Sequence, residues 1–238
     1  MTTPLLRAAH ELAAVHHRQY DPSHDLAHVQ RVFALATQLA ASLPLPSDVL
    51  VIQLAALFHD LLDAKYLLKG AAPLSAHERL ADFWLVHGAT VSDPRRRLVE
   101  RVVENVSYSK EIKRIASGEH TAWHEACVEL HWSVCERRPT RGSAKARGRV
   151  RGLGEVRAGS LICLRCHSVQ DADKLDAVGA FGVLRCAAYS GATGVELYGA
   201  SDATTAAAPS TGTKAKGTAV GHFHDKLFKL EGMMKVRS

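Results

Sequence analysis

The segment Val51–Tyr66, VIQLAALFHDLLDAKY, places an imidazole beside a carboxylate in an otherwise apolar stretch. A buried ionisable group without a partner is costly, so His59 and Asp60 require partners from elsewhere in the chain. One divalent metal ion could bind both side chains. The alternative is a hydrogen-bonded core histidine. The dipeptide alone decides nothing, because it recurs at His24–Asp25 and His224–Asp225, where we expect helix caps or surface pairs.

Two further regions offer ligands of the same kind. His28 lies beside apolar residues on a predicted helix, and the stretch VQDADKLDAVGAFG holds Asp171, Asp173 and Asp176. Two imidazoles and two carboxylates, completed by waters, suit Mn²⁺, Fe²⁺, Zn²⁺ or Mg²⁺. The spacing therefore predicts a metal site assembled from three separate segments, and it leaves the choice among the three aspartates open.

Helices have to position these residues, because apolar positions recur at three- and four-residue steps and no alternating strand pattern is present. The fold class predicted is all-α. Val49–Leu62 is apolar on every face, which is typical of a central helix. The predicted helices are Pro4–Arg18, Leu26–Leu43, Val49–Leu62, Ala76–Val86, Pro94–Val106, Ile112–His131, Val169–Tyr189 with a glycine interruption, and Gly221–Lys235.

The net charge of +6 belongs to one segment. Between Ser133 and His167 there are nine basic residues and two acidic ones, so the remainder of the chain is near neutral. We therefore expect no specific nucleic-acid binding. No apolar run predicts a membrane span. The N-terminus shows no secretory signal, and five cysteines stand at irregular spacing, so a cytoplasmic protein with free thiols is expected.

Two stretches interrupt the helical pattern. Trp132–Ser168 is rich in Arg, Gly and Ser, and we interpret it as a disordered insertion in a single domain spanning residues 1–238. A basic RNA- or phosphate-binding arm and a gene-model artefact are the alternatives. Ala200–Thr218 is predicted to be a low-complexity loop.

Cysteines around the insertion leave two further alternatives open. The sequence CLRCH, from Cys163 to His167, has the pattern of a c-type haem attachment site. Cysteines and a histidine could also form a zinc knuckle, with irregular spacing, from Cys127, His131, Cys135, Cys163 and Cys166.

The ordered set His28, His59–Asp60 and Asp173 resembles the H…HD…D signature of the HD-domain metal-dependent phosphohydrolases. The blocks SHDLAHVQRV, LAALFHDLLDAKY, VENVSYSKE, VQDADKLDAVGAFGVLR and GHFHDKLFKLEGMMK are similar to successive blocks of the small standalone HD hydrolases of bacteria and fungi. They follow one another in order from Ser23 to Lys235.

The resemblance implies an HD-domain helical bundle with His28, His59, Asp60 and Asp173 as metal ligands. Asp173 is preferred to Asp171 because ADKL aligns with the Ala-Asp-Arg/Lys-Leu stretch of related hydrolases, and Asp171 would then be an outer-shell residue or a cap. Mn²⁺ is the expected ion, with Mg²⁺, Fe²⁺, Zn²⁺ and Ni²⁺ as alternatives.

The resemblance also implies roles for neighbouring residues. Asp63 stands where relatives that cleave guanosine pyrophosphates carry an acid/base residue, and a structural salt bridge is its alternative. Arg31, Lys65 and Tyr108 are expected to contact substrate. Their alternatives are solvated positive charges for the first two and a helix start for the third.

These residues together predict hydrolysis of a phosphate ester or anhydride. A metal-bound water attacks phosphorus and a carboxylate accepts its proton. The resemblance suggests a nucleotide substrate, specifically a (deoxy)nucleoside triphosphate cut to monophosphate and pyrophosphate. The competing hypothesis is an inactive HD-fold binding or regulatory module, and a homodimer is compatible with either.

Overall fold

The structure is a computed structural model that describes residues 3–42, 48–63, 74–118, 158–199, 202 and 217–235, with side chains omitted for 158–166. Lys65, residues 132–157 of the predicted insertion and nearly all of the predicted loop at 200–218 lie outside the described residues. The insertion, the loop and the single-domain boundary stay predictions.

Within the described ranges the fold is all-α, as predicted, and contains no strand. Three short 3₁₀ turns at Gly88–Thr90, Leu227–Lys229 and Glu231–Met233 accompany the α-helices. These helices are α1 (Pro4–His17), α2 (Leu26–Ser42), α3 (Val49–Phe58), α4 (Ala76–His87), α5 (Asp93–Asn105), α6 (Tyr108–Ser117), α7 (Ala158–Asp176), α8 (Gly179–Thr193) and α9 (Ala219–Asp225).

Several helix ends differ from the sequence-based prediction. α3 ends at Phe58, so His59 and Asp60 lie in the turn that follows the helix, where Leu61 N–H donates to the Phe58 carbonyl at 3.1 Å. α6 ends before Gly118, whose φ of 73° is left-handed and favours glycine. The last helix stops at Asp225 and continues as 3₁₀ turns. α7 begins at Ala158, inside the stretch predicted to be an insertion.

The core is built around α3, as its uniform apolar sequence predicts. Seven of its ten residues are buried, since only Gln53 is partly exposed between Val51 and Phe58, and the helix packs against α1, α2 and α5. Phe58, at its end, packs edge-on against Phe83 with ring centroids 5.0 Å apart and lies 6.4 Å from the Trp84 ring. The position of His59 is therefore fixed by a fully buried helix end.

A tight turn joins α7 to α8 and determines where α8 lies. Gly179 has a φ of 63°, which a side chain would strain, and a Cβ at Gly182 would overlap the carbonyl of Ala177. These two glycines let α8 double back onto α7 immediately after Asp176. This turn is the glycine interruption predicted between Val169 and Tyr189.

A buried ionic network lies on a second face of α7. Lys174 Nζ lies 2.9 Å from Glu111 Oε2 of α6 and donates to the Met233 carbonyl at 3.1 Å. Lys235 Nζ also donates to Glu111, and the Lys235 backbone N–H donates to Asp171 Oδ2 at 2.7 Å. Two ammonium groups thus share one carboxylate, and the C-terminal segment is attached to α6 and α7.

The Phe58 packing predicts a large core effect. Phe58→Ala should lower the free energy of unfolding by about 3–5 kcal/mol, because a fully buried ring leaves a cavity between α3 and α4. Urea denaturation followed by circular dichroism measures the change. The exposed Leu85 on α4 is the control, and Leu85→Ala should stay within about 0.5 kcal/mol of wild type. Equal effects of the two substitutions would contradict the assignment of the core.

The ionic network predicts a pH-dependent contribution to stability. Burial raises the pKa of Glu111, but Lys235 and Lys174 outweigh it and lower the pKa below its usual 4.5. The native chain therefore binds this proton less tightly than the unfolded chain, so the stabilisation is complete above about pH 4.5 and is lost as the pH falls through the native pKa.

Glu111→Gln should consequently lower the free energy of unfolding by about 3–5 kcal/mol at pH 7, because two buried ammonium groups lose their carboxylate. The difference from wild type should shrink in urea titrations below pH 4.5. Glu11→Gln on the exposed face of α1 is the matched control and should show neither effect. If the difference in free energy of unfolding between Glu111→Gln and wild type did not change with pH, this account would be wrong.

Candidate metal site

Four donor atoms from three segments converge at the end of α3. His28 comes from α2, His59 and Asp60 from the turn after α3, and Asp173 from α7. His28 Nε2 lies 3.1 Å from His59 Nε2 and 3.4 Å from Asp60 Oδ2, and His59 Nε2 lies 3.3 Å from Asp60 Oδ2. Asp173 Oδ1 is 3.6 Å from His28 Nε2 and 4.0 Å from His59 Nε2. The structure thus brings His28, His59 and Asp60 into one group whose donor atoms lie within 4.8 Å of one another, and Asp173 lies beside its two histidines.

Local structure explains why these side chains meet. Asp25 Oδ1 accepts a hydrogen bond from the His28 N–H at 2.9 Å, which fixes the first turn of α2. His28 is fully buried, and His59 follows the buried helix α3. The Asp173 side chain keeps 30% of its surface exposed, so the cluster opens to solvent on the α7 side.

The hydrogen-bond partners identify the tautomers of both histidines. His28 Nδ1 lies 2.7 Å from Asp176 Oδ2, and His59 Nδ1 lies 2.8 Å from the Ala56 carbonyl oxygen. An ionised carboxylate and a carbonyl can only accept, so both Nδ1 atoms carry hydrogen. In the neutral rings the two Nε2 atoms then present lone pairs to each other. This tautomer is the one that metal-ligating histidines adopt when Nδ1 is held by an acceptor.

The electrostatics of the cluster favour a cation between these atoms. Burial opposes protonation of His59, but the charges of Asp60 and Asp173 outweigh it and raise the pKa of His59 to about 9. Burial likewise opposes ionisation of Asp60, while His59 and His28 hold the pKa of that carboxyl well below its usual range. The cluster therefore attracts positive charge, whether a proton or a metal ion supplies it.

The donor set fits a divalent metal ion. Ligand atoms at about 2.0–2.2 Å from a metal lie about 3–3.5 Å apart when their bonds are separated by 90–109°. The distances among His28, His59 and Asp60 fall in this range, and those to Asp173 are slightly longer. No described group donates a hydrogen bond to the buried Asp60 Oδ2. Nitrogen and oxygen donors of this kind suit Mn²⁺, Fe²⁺, Zn²⁺ or Mg²⁺ and do not distinguish among them.

Asp176 is the main support of the His28 imidazole. Besides His28 Nδ1, its carboxylate accepts from Arg31 Nε at 2.6 Å, Arg31 Nη2 at 3.0 Å and Arg185 Nη1 at 3.1 Å. Burial raises the pKa of Asp176, but the hydrogen bonds from His28 and Arg31 outweigh it and lower the pKa far below its usual range. Asp176 therefore stays ionised and fixes the tautomer of His28.

The structure separates the three aspartates that the sequence left as alternatives. Asp173 and Asp176 face the cluster, whereas Asp171 pairs with Lys174 at 3.7 Å in the ionic network. Asp171 is therefore part of the ionic network, and its role toward the metal site stays a prediction. One helical turn separates Asp173 from Asp176, which places both on one face of α7.

The structure also describes three other residues that the sequence singled out, Asp63, Arg31 and Tyr108. Asp63 is half-buried, and its N–H donates to the Asp60 carbonyl at 3.1 Å, so it lies in the same turn as the ligands. Arg31 is bound to Asp176, and its guanidinium carbon lies 4.6 Å from the Phe181 ring centroid. Tyr108 begins α6, and Lys226 Nζ lies 4.9 Å from its ring centroid. Their roles toward substrate stay predictions.

Two residues close to the cluster were not identified from the sequence. Arg185 of α8 donates to His28 Nε2 at 3.3 Å and to the Ser23 carbonyl at 2.7 Å. His17 is buried, its Nδ1 lies 2.7 Å from the His24 carbonyl oxygen, and no described group is hydrogen-bonded to its Nε2. The only sequence signals were an arginine in the second turn of a helix and a histidine pair ending another, and both are common in chains without such a site.

Comparison with known proteins identifies the class. The HD domain family model matches residues 25–178, which span the cluster from Asp25 to the turn after Asp176. The chain belongs to the HD-domain phosphohydrolase superfamily, and the resemblance noted in the sequence is confirmed.

The chain is also similar to individual proteins. The uncharacterized protein YpgQ of Bacillus subtilis is 27% identical over 211 residues, covering 89% of this chain and 71% of its own length. A Lactobacillus plantarum structure superposes with a TM-score of 0.62 at 24% identity, covering 99% of this chain and 86% of its own.

Two further solved structures have the same fold. YpgQ in complex with ADP gives a TM-score of 0.56 at 21% identity over 96% of this chain and 82% of YpgQ. An HD-superfamily hydrolase from Bacillus thuringiensis superposes with a TM-score of 0.52 at 20% identity, covering 96% of this chain and 81% of its own. In the part of the chain that the structure describes, no helix has the length and apolar character needed to cross a membrane.

The contacts of Asp176 predict its effect on metal binding. Asp176→Asn should weaken Mn²⁺ binding by about 10- to 100-fold, because an amide cannot both accept the His28 Nδ1 hydrogen and serve two guanidinium groups. Calorimetric titration of the metal-stripped chain measures the change. Asp82→Asn on the exposed face of α4 is the matched control and should bind Mn²⁺ as wild type does. Unchanged affinity in Asp176→Asn, with the fold intact by circular dichroism, would contradict the role assigned to this carboxylate.

Proposed function

We propose that this chain is a divalent-metal-dependent phosphohydrolase that acts on a nucleotide. The observation that carries the proposal is that the Nε2 atoms of His28 and His59 lie 3.1 Å apart and each lies within 4.0 Å of a carboxylate oxygen of Asp60 and of Asp173. These four residues would hold the metal, with Mn²⁺ the expected ion. An ion bound there supplies a water of lowered pKa and offsets charge on phosphoryl oxygens.

The chain's own residues would perform the remaining steps. Asp63 lies in the turn that carries His59 and Asp60, and a carboxylate there can accept the proton of the attacking water. Asp173 is the most exposed of the four ligands, so substrate would approach from its side. Tyr108 and Arg31 are the predicted substrate contacts among described residues, and Lys65 is a third outside them.

A nucleotide is the substrate class favoured by the relatives. YpgQ, which aligns with most of this chain, has been crystallised in complex with ADP. This supports a site that accepts a nucleoside with a chain of phosphates. Cleavage of a (deoxy)nucleoside triphosphate to monophosphate and pyrophosphate is the reaction we propose.

One contact favours a second candidate, an HD-fold module that binds ligands without catalysis. Arg185 Nη2 donates to His28 Nε2, the lone pair that a metal would need. A chain in which this hydrogen bond persisted would bind metal poorly and would not hydrolyse phosphates. Binding and turnover therefore have to be measured separately.

The test is a hydrolysis screen of the metal-stripped full chain supplied in turn with Mn²⁺, Mg²⁺, Fe²⁺, Zn²⁺ and Ni²⁺. Deoxy- and ribonucleoside triphosphates, diphosphates and guanosine pyrophosphates are the substrates, and ³¹P NMR identifies the bond cleaved. We expect Asp60→Asn to abolish both Mn²⁺ binding and hydrolysis. Asp63→Asn should retain Mn²⁺ while its kcat falls by about 10²- to 10⁴-fold, the range of a lost proton acceptor.

The outcomes separate the two candidates. Asp82→Asn, an identical chemical change on the surface, controls for nonspecific effects on activity. Nucleotide binding without turnover, whatever the metal, would favour the binding module. Hydrolysis that survives Asp60→Asn would place the activity elsewhere and refute the proposed site.

A further inference from the structure

Arg185 does more than hold Asp176 in place. Its guanidinium makes three contacts, one from each nitrogen: Nε donates to the Ser23 carbonyl at 2.7 Å, Nη1 to Asp176 Oδ2 at 3.1 Å and Nη2 to His28 Nε2 at 3.3 Å. The first two contacts anchor the group to parts of the chain that bind no metal. The third directs an N–H donor at a proposed ligand atom.

The third contact is incompatible with a loaded site. His28 Nε2 has one lone pair, because its other nitrogen donates to Asp176, and that lone pair is needed for a metal. When His28 gives its lone pair to an ion, the Nη2 hydrogen of Arg185 loses its acceptor. The first two contacts keep the guanidinium beside the cluster, so this hydrogen stays at the site.

Charge balance indicates what the freed donor would bind. Asp60 and Asp173 carry two negative charges, which a divalent ion balances. Asp176 carries one and faces two guanidinium groups, Arg31 and Arg185, so a surplus positive charge remains on the Asp176 side of the loaded site. A phosphoryl oxygen held at a metal matches that surplus, and guanidinium N–H groups are well suited to it.

Among the described Lys and Arg side chains, only Arg185 hydrogen-bonds one of the four proposed ligands. Arg31, the arginine that the sequence suggested, donates from Nε and Nη2 to Asp176 and lies over the Phe181 ring. The Arg185 side chain is 11% exposed, so any anion that it binds is largely shielded from water, which strengthens the interaction.

We propose that Arg185 is a phosphate-binding residue of this site. When metal and substrate bind, its Nη2–H gives up the hydrogen bond to His28 Nε2 and donates to a phosphoryl oxygen instead. This inference rests on the proposed function and adds a substrate-contacting residue to it. The glycine turn that folds α8 back onto α7 places the residue where it can act.

The inference predicts opposite changes in two affinities. In Arg185→Gln, Mn²⁺ should bind the metal-free chain at least as tightly as wild type, because a competitor for His28 and a positive charge are removed. The Mn²⁺-loaded variant should bind methylenediphosphonate, a non-hydrolysable diphosphate, about 10- to 100-fold more weakly, as expected for a lost charge-assisted hydrogen bond. Isothermal titration calorimetry measures both, with the probe supplied as its Mn²⁺ complex.

Arg31→Gln is the matched comparison, because it also deprives Asp176 of a guanidinium but removes no donor from His28. It should weaken Mn²⁺ binding, which Arg185→Gln should not do. Arg185→Lys, which keeps the charge but not the three-point geometry, is a second variant in case Arg185→Gln does not fold. Its affinity for the diphosphonate should lie between that of wild type and the lower affinity expected of Arg185→Gln.

The results separate a phosphate-binding role of Arg185 from a role that only positions Asp176. If Arg185→Gln, or Arg185→Lys in its place, weakens Mn²⁺ binding as Arg31→Gln does and leaves anion affinity unchanged, Arg185 only positions Asp176 and the inference is wrong. If the wild-type chain binds Mn²⁺ and hydrolyses nucleotides in the screen above, that result leaves the proposed function standing. If the wild-type chain binds neither Mn²⁺ nor diphosphonate, both proposals fail together.

Discussion

Two imidazole lone pairs and two carboxylates meet inside an apolar bundle, and such an arrangement is stable only when positive charge lies among them. The surrounding structure provides for this. Asp176 fixes one imidazole and the Ala56 carbonyl fixes the other, so neither ring can rotate its lone pair away. Arg185 supplies a positive charge at the edge of the cluster. The site is therefore organised by the chain before any ion binds.

Helix α7 connects this site to the rest of the molecule through two faces. One face carries Asp173 and Asp176 toward α2 and the α3 turn, and the other carries Asp171 and Lys174 into a buried ionic network with Glu111 and the C-terminal segment. Residues three apart share a face of a helix, so the pattern DADKLD serves both sides at once. A rotation of α7 that preserved one set of contacts would break the other, and the position of Asp173 is fixed for that reason.

Several elements could be predicted because local chemistry determines them. Apolar periodicity located most of the helices to within a few residues, and the all-apolar sequence of α3 identified the central helix. The cost of burying charge made His59–Asp60 a site that required partners, and the family resemblance selected His28 and Asp173. The helix ends were less predictable. α3 ends at Phe58 rather than Leu62, and Gly118 ends α6, because tertiary packing and a single left-handed residue override propensity there.

The sequence by itself thus determined the all-α class, which follows from apolar spacing along the chain, and with the family resemblance it named the side chains of the candidate site and the segments that carry them. Only the tertiary structure decided that Asp176 supports His28, that Asp171 belongs to the ionic network, and that Arg31 faces Asp176 while Arg185 reaches the cluster. Those assignments depend on which faces of α2, α7 and α8 meet. Spacing within one helix fixes which residues share a face, but only the packing of helices against one another determines what that face contacts.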